Sequence, residues 1–488
     1  MPLSLSRLLR RTVLRGGVKT LGAKDQRACS GYVNFDNPVA FRFDASFSAL
    51  VTVAMNPRQK GRVMIQVLAS VWALLLGMVL IMIGNGMQAT LMGVRGAMEG
   101  FGTLELSIIT SGYFLGFLVG SRIAPELIRR VGHVRVFAAL ASFISAGLIA
   151  FPILTDPYSW TLIRVILGFC LSGVYVTAES WLNNSSTNQT RGMVLSVYMV
   201  AQMLGLIAAQ GLMNLGEASG FFLFVIPSIL VSLSFAPILL SITPTPASDT
   251  TKPMSLMQLY HKSPLASVGT LLLGGAFAAQ FGMASVYGAA AGLSVAQITG
   301  FVAAIFIGSL IWQIPVGWLS DRMDRRLLIL ALAAIGAAAT AVGFVVGAQY
   351  ETMLVLAFVV GGVANPLYAL FIAYTNDYLE VDDMAAASGG LVFAYGVGAV
   401  VGPMATGQMM EWTGPKGFWL FLAVVFAAIT IYAGWRMTRR PGVPVDETGS
   451  YLGVLPTSSP VAVEAAQEWY VEQAEEAAEE AENEVSNG

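Results

Sequence analysis

Twelve apolar runs, each about as long as a bilayer core is thick, constrain this chain more than any other feature. About 20 apolar residues cross a bilayer as a helix. The runs fall at 64–86, 104–124, 134–154, 159–182, 192–214, 220–241, 264–288, 296–318, 327–348, 353–375, 386–408 and 417–436. They are too long for barrel strands and lack period-two alternation, so the helix is the element that satisfies the backbone in lipid. Composition agrees: 56% of the 488 residues are hydrophobic and 11% charged, against about 25% charged in soluble domains. A chain this short of charge cannot coat a water-facing surface. That excludes a soluble enzyme, a nucleic-acid binder and a disordered hub. Two cysteines, Cys29 and Cys170, make no disulfide framework, and His133 and His261 form no metal-ligand pattern. No metal or cofactor is expected.

Lysine and arginine set the expected orientation. With residues 1–63 on the cytoplasmic side, 16 basic residues beside the spans fall inside and only Arg95 and Lys416 outside. Both termini are therefore expected in the cytoplasm. Arg164 is the one basic residue deep within a span. Residues 1–22 carry five bases and no acid, which suits a mitochondrial transit peptide. It equally suits a bacterial chain whose start lies at Met55, ahead of the basic lead Arg58, Lys60 and Arg62. A bacterial inner membrane is the preferred location. The stretch 461–484 holds nine glutamates and no base. Six of them are spaced by four, so a helix would stack like charges, and a solvated tail is expected.

Sliding the chain by 193 residues superposes Gly168 on Gly361, Tyr175 on Tyr368, Asn183 on Asn376 and Gly205 on Gly398. Gln202 falls on Tyr395. Six spans per half return the chain to the side it left, so the halves are parallel repeats. The expected organisation is a tail (1–63), a six-helix half (64–241), a polar linker (242–263), a second half (264–436) and an acidic tail (437–488).

The loop after span eight reads Gly317-Trp-Leu-Ser-Asp321-Arg322-Met-Asp324-Arg325-Arg326. Span four holds Arg164-Val-Ile-Leu-Gly168, and span eleven holds Gly398-Ala-Val-Val-Gly402-Pro403. Together with two parallel six-helix halves, these motifs resemble the major facilitator superfamily, an example of parallel repeats. The ending of span four, Glu179-Ser-Trp-Leu-Asn183, resembles the bacterial YcaD-like branch. The first-half loop departs from the signature, with Arg129 where an aspartate is usual. The resemblance implies an all-α membrane protein with twelve helices, a secondary transporter working by alternating access. It also implies that paired charges between helices act as an inner gate. The gate candidates are Arg129, Arg130, Glu179 and Arg191 in the first half, and Asp321, Arg322, Arg326, Asp377 and Glu380 in the second. Positive-inside anchoring is the plainer reading of the same bases.

A second set is polar and lies within the spans: Arg164, Tyr175, Gln202, Gln280, Trp312, Gln313, Asn365, Tyr368 and Tyr395. Such residues either hydrogen-bond between helices or share a solute cavity, and their spread over both halves favours the cavity. Tyr175 and Tyr368 are expected to line one cavity. An arginine in a span faces a cavity or snorkels outward, and Trp160 and Asp156 leave both readings of Arg164 open. Gly168, Gly361, Gly398, Gly402 and Pro403 are expected at packing and hinge positions. No aspartate or glutamate lies at mid-span, which weakens proton coupling and leaves uniport open. The expected partners are the bilayer and a small neutral or amphipathic solute, the chain being monomeric and efflux marginally preferred over uptake. A non-transporting membrane assembly factor or lipid-binding scaffold is the alternative.

Overall fold

The computed structural model describes residues 57–240, 254–347, 349–379, 381–439, 442–444, 448, 451–467 and 469. The expectations for residues 1–56, for Glu380 and for the acidic stretch beyond 469 lie outside the described residues. The chain divides after Phe43, and everything below concerns the unit Asp44–Gly488.

Among the described residues, eleven helical segments are long and apolar enough to cross a membrane, by length and composition. The last, Ala386–Met437, is 52 residues long, far beyond one crossing at 1.5 Å per residue. It is broken at Gly414, whose φ of 70° favours a residue without Cβ. Twelve spanning helices result among the described residues. They are α1 (Pro57–Met98), α2 (Thr103–Val131), α3 (His133–Ala150), α4 (Pro157–Asn184), α5 (Asn188–Leu212) and α6 (Phe222–Leu239) in the first half. The second half has α7 (Pro264–Ala290), α8 (Val295–Ser320), α9 (Arg325–Val346), α10 (Tyr350–Asn376), α11 (Val381–Thr413) and α12 (Gly417–Met437). Helix α7 carries a π-turn at Ala279–Met283.

Several boundaries move outward. The first span, expected to end at 86, runs on as helix to Met98. Asn85, Gln88 and Thr90 look like a span's end in a hydropathy reading, but here they turn inward and are buried. The basic loop after span two is helix up to Val131, with only Gly132 before α3. The linker's end is a short helix, Leu256–Lys262, capped by the Ser255 hydroxyl.

The halves repeat each other's packing. Helix α2 lies on α4 as α8 lies on α10, α1 on α5 as α7 on α11, and α3 on α6 as α9 on α12. Glycines make these approaches close: a Cβ at Gly168 would overlap the Tyr113 carbonyl, and one at Gly361 the Ile305 carbonyl. Gly398 likewise meets the Leu271 carbonyl, and Gly402 meets Gly275, so both are close-packing positions. Helices α1, α4, α7 and α10 are the most buried, and α3, α6 and α9 are among the least. Phe143, Leu162, Val355 and Ile431 are each more than 60% exposed, which only lipid would cover.

The end where α2, α4, α8 and α10 finish and α11 begins is called the proximal face below; α1 and α7 finish at the opposite, distal face. Near the distal face the halves touch directly. Gly93 sits against the Ser285–Val286 backbone and Gly407 against Ser107. Thr103 donates to Glu411 at 2.5 Å, and Asn214 to Thr299 at 3.2 Å.

Candidate functional site

An aromatic ladder crosses the interface between the halves at mid-depth. Tyr175 packs edge-on against Phe117 at 5.8 Å, and Phe117 against Tyr113 at 6.2 Å. Tyr113 stacks on Phe281 of the other half at 6.0 Å. Phe281 stacks on Phe277, Phe277 meets Tyr395 at 5.9 Å, and Tyr395 meets Tyr368 at 5.0 Å. The π-turn in α7 holds Phe281 and Gln280 and so sets how these rings enter the interface. Such turns often mark functional sites.

Polar groups flank the ladder. Arg164 is 1% exposed, its guanidinium lies 4.5 Å from the Tyr113 ring centroid, and its Nη1 donates to Gln88 at 2.5 Å. Burial overturns the snorkelling reading: the side chain turns into the bundle, and Trp160 is buried with its Nε1 donating to the Phe151 carbonyl. Asp156 caps α4 instead, accepting from the Ser159 N–H. Buried polar atoms without a hydrogen-bond partner among the described residues include Arg164 Nε, Gln88 Nε2 and both amide atoms of Gln202. Gln280 Nε2, Asn365 Oδ1 and the hydroxyls of Tyr368 and Tyr395 join them. Buried polar groups without partners are rare and costly. Tyr175 differs, since its hydroxyl donates to the Met82 sulfur at 2.9 Å.

The open space beside the ladder is small, about 30 Å³, room for a water. Its walls include Tyr113, Phe117, Phe281 and Tyr395, and its floor is Pro456–Ser458. Tyr175 and Tyr368 were expected to line one open cavity. They stand instead one ring behind its wall, at opposite ends of the ladder, because other aromatic rings and the tail fill the space between them. A larger groove of about 440 Å³ lies between α5 and α8, lined by Met203, Gln313, Ile314, Asp321 and the tail residues Tyr451 and Leu455. Trp312 turns the other way and packs over Gly362.

The charged loops differ from the expected latches. Asp377 pairs with Arg325 at 2.5 Å, both side chains at most 3% exposed; Arg325 also donates to the Ala373 carbonyl and Ser320. This pair ties α9 to α10 within one half. Arg325 occupies the place expected for Arg322 or Arg326 because it opens α9 facing inward. Arg326 turns back to Asp324 at 2.6 Å, and Arg322 lies over the Trp318 ring. Asp324 caps α9, and its bonds to Arg326 hold its carboxyl below the usual range despite partial burial. Arg129 and Arg130 are exposed and bond Glu126 of their own helix, so neither reaches a neighbouring helix through that carboxylate. Glu179 was expected to face Arg191. Its carboxylate accepts instead from the Tyr198 hydroxyl at 3.2 Å and the Ser459 N–H at 2.7 Å; Arg191 is half-buried at the start of α5. Asp321 accepts the Tyr451 N–H at 2.7 Å. Burial pushes its carboxyl above the ordinary range, against that N–H and the Arg325 and Arg322 charges.

Sequence reasoning missed Asn85, Gln88, Tyr113 and Phe281. The signal was present for two of them: a polar pair, Asn85 and Gln88, inside a long apolar helix.

A twelve-helix bundle of two packed repeats, with a polar-aromatic interface at mid-depth, is the architecture of a membrane transporter. The chain belongs to the major facilitator superfamily, whose family model matches residues 74–308 and 266–463. It is 25% identical over 342 residues to the MFS-type transporter YcaD of Salmonella arizonae, covering 69% of this chain and 88% of that one. The identity is 27% with the YcaD of Escherichia coli O6:K15:H31, over 70% and 89%. The fold is similar to that of the nucleoside transporter NupG, with a TM-score of 0.60, 15% identity and coverage of 75% and 99%. It is also similar to a bacterial homolog to the human lysosomal transporter Spinster in an inward-facing and occupied conformation: TM-score 0.62, 14% identity, coverage 77% and 97%. The chain is therefore a multi-pass membrane transporter of the secondary class, with bacterial relatives that support an inner-membrane location.

Proposed function

We propose that this transporter moves a small neutral or amphipathic organic solute by alternating access. The two halves rock about the aromatic ladder, and the solute binds there. One observation carries the reading: buried polar atoms without a partner among the described residues lie on both halves around one ladder of rings. A solute with a few hydrogen-bonding groups and an aromatic or apolar body would pair those atoms and stack on the rings. Arg164 and Gln88 would take its most polar or anionic end. A scaffold that never opened would gain nothing from leaving such groups unpaired where leucine packs better.

Both termini lie in the cytoplasm in this proposal, so the proximal face is the inner one; export is the preferred direction. The basic residues Arg129, Arg130, Arg322, Arg325 and Arg326 gather at that face, as the positive-inside rule requires. A reporter active only in the periplasm, fused at Gly292 and at Ser320, tests this. Activity at Ser320 alone would invert the orientation. For the function, the purified chain is screened by thermal shift against metabolites and drugs, and each hit is followed by flux in proteoliposomes. Stabilising ligands whose effect is lost in Asn365→Ala and Gln280→Ala support the site. A ligand that binds equally well to both variants sinks it.

A further inference from the structure

After α12 the chain folds back, and residues 451–467 and Trp469 enter the space between the halves from the proximal face. The Tyr451 N–H bonds Asp321 on α8. Gly453 passes so close to Gln313 that a Cβ there would lie 2.5 Å from its Nε2. Pro456, Thr457 and Ser458 reach the ladder and close the cavity beside Tyr113 and Tyr395. The Ser459 N–H then bonds Glu179 on α4. Residues 460–467 form a helix that leads back out. Its Gln467 donates to Asn376 on α10 at 2.6 Å and accepts from Ser388 on α11. Trp469 ends against Gly192 on α5. Val463 and Ala465 are fully buried, and Ser458, Ser459 and Gln467 are at most 3% exposed.

One segment thus bonds or packs against helices of both halves and fills the route from the proximal face to the ladder. A solute and Pro456–Ser458 cannot occupy that route together. The groups the segment satisfies, Glu179, Asp321, Asn376 and Ser388, are hydrophilic side chains that water would hydrate once it left. These are the properties of a removable stopper: a short apolar helix and a hydratable seat. We propose that residues 451–469 are an autoinhibitory plug, an intramolecular competitor of the solute that must leave the vestibule before transport proceeds. The proposal rests on the transport reading above for its consequence, though not for its geometry.

The test uses the full chain with Cys29 and Cys170 replaced by alanine and a protease site placed between Pro444 and Thr448, so that the tail is cut only after folding. Ser121→Cys, on the cavity wall beside Thr457 and Ser458, reports access to a membrane-impermeant maleimide. Cutting and washing are expected to speed labelling by at least about tenfold. A synthetic peptide of residues 451–469 is expected to slow it again. In the uncut chain Ser459→Pro, which removes the N–H donated to Glu179, is expected to speed labelling in the same direction. Equal rates before and after cutting, or no slowing by the peptide, would overturn the plug. Solute flux is read separately on the same preparations. If the vestibule opens on cutting yet no solute moves, the plug stands and the transport reading falls.

Discussion

The two ends of the interface between the halves are built differently. At the distal face helix meets helix: Gly93 against the Ser285–Val286 backbone, Gly407 against Ser107, with Thr103 bonded to Glu411 and Asn214 to Thr299. Toward the proximal face Arg122 stacks on Phe393 at 4.0 Å, but much of the joining is done by the tail. Backbone approaches through glycine form and break as a whole, because a packed interface is not continuously deformable. A tail seated on hydrophilic side chains that water can hydrate can leave while both halves stay intact. The contrast teaches where this molecule closes by shape and where it closes by occupancy.

The largest expected effect lies within one half, and it sets the rigid-body limit of that contrast. Asp377→Ala leaves the Arg325 guanidinium buried without its carboxylate. Losing one member of a buried pair costs about 3–5 kcal/mol, so the thermal transition in detergent should fall sharply while tail docking in surviving protein is unaltered. Next comes the distal joint. A Cβ at Gly93 would lie 2.6 Å from the Val286 nitrogen, and Gly93→Val should cost about 1–3 kcal/mol by overpacking. Labelling of a cysteine at Thr103 should rise as that face is forced apart; an unchanged rate would mean that the distal joint yields as easily as the tail.

At the ladder, Tyr368→Phe or Tyr395→Phe should weaken binding of a solute hit by about 0.5–1.5 kcal/mol, one hydrogen bond. The unfolding temperature should hardly move, since neither hydroxyl has a partner among the described residues. Tyr175→Phe serves as the contrast, because its hydroxyl is already engaged with Met82.

The smallest effect is a pH dependence of docking. Burial raises the Asp321 carboxyl above its ordinary range, against the Tyr451 N–H and the Arg325 and Arg322 charges, and the docked tail is expected to supply part of that burial. With the tail away, the carboxyl is expected to return toward the ordinary value. Docking then takes up a proton between the two values, so it tightens as pH falls through the raised value and levels off below the ordinary one. A dye-labelled peptide of residues 451–469 on the cut chain reads this by anisotropy. Asp321→Asn should flatten the profile, and a profile that steepens in the opposite sense would contradict the sign.

Much of this architecture was written along the chain. Hydropathy is a property of each residue in its own window, so spans of about twenty apolar residues, their number and the even count per half were legible without any contact. Charge was legible for the same reason. Gln202, Gln280, Asn365, Tyr368 and Tyr395 could be read as buried polar positions, because a polar residue inside an apolar run has little choice but to turn inward. The tertiary structure decided the pairings. Arg325, and not Arg322 or Arg326, meets Asp377, since a helix start fixes which of three adjacent bases points at the neighbour. Asn85 and Gln88 belong to the interface although they resemble the end of a span. The acidic stretch 461–484 reads as a solvated tail, and only the gap between the halves, with Asp321, Glu179 and Asn376 at its walls, gives the apolar and amide side chains of residues 451–467 a place to bury. A seat made of residues from several helices leaves no pattern in any one of them.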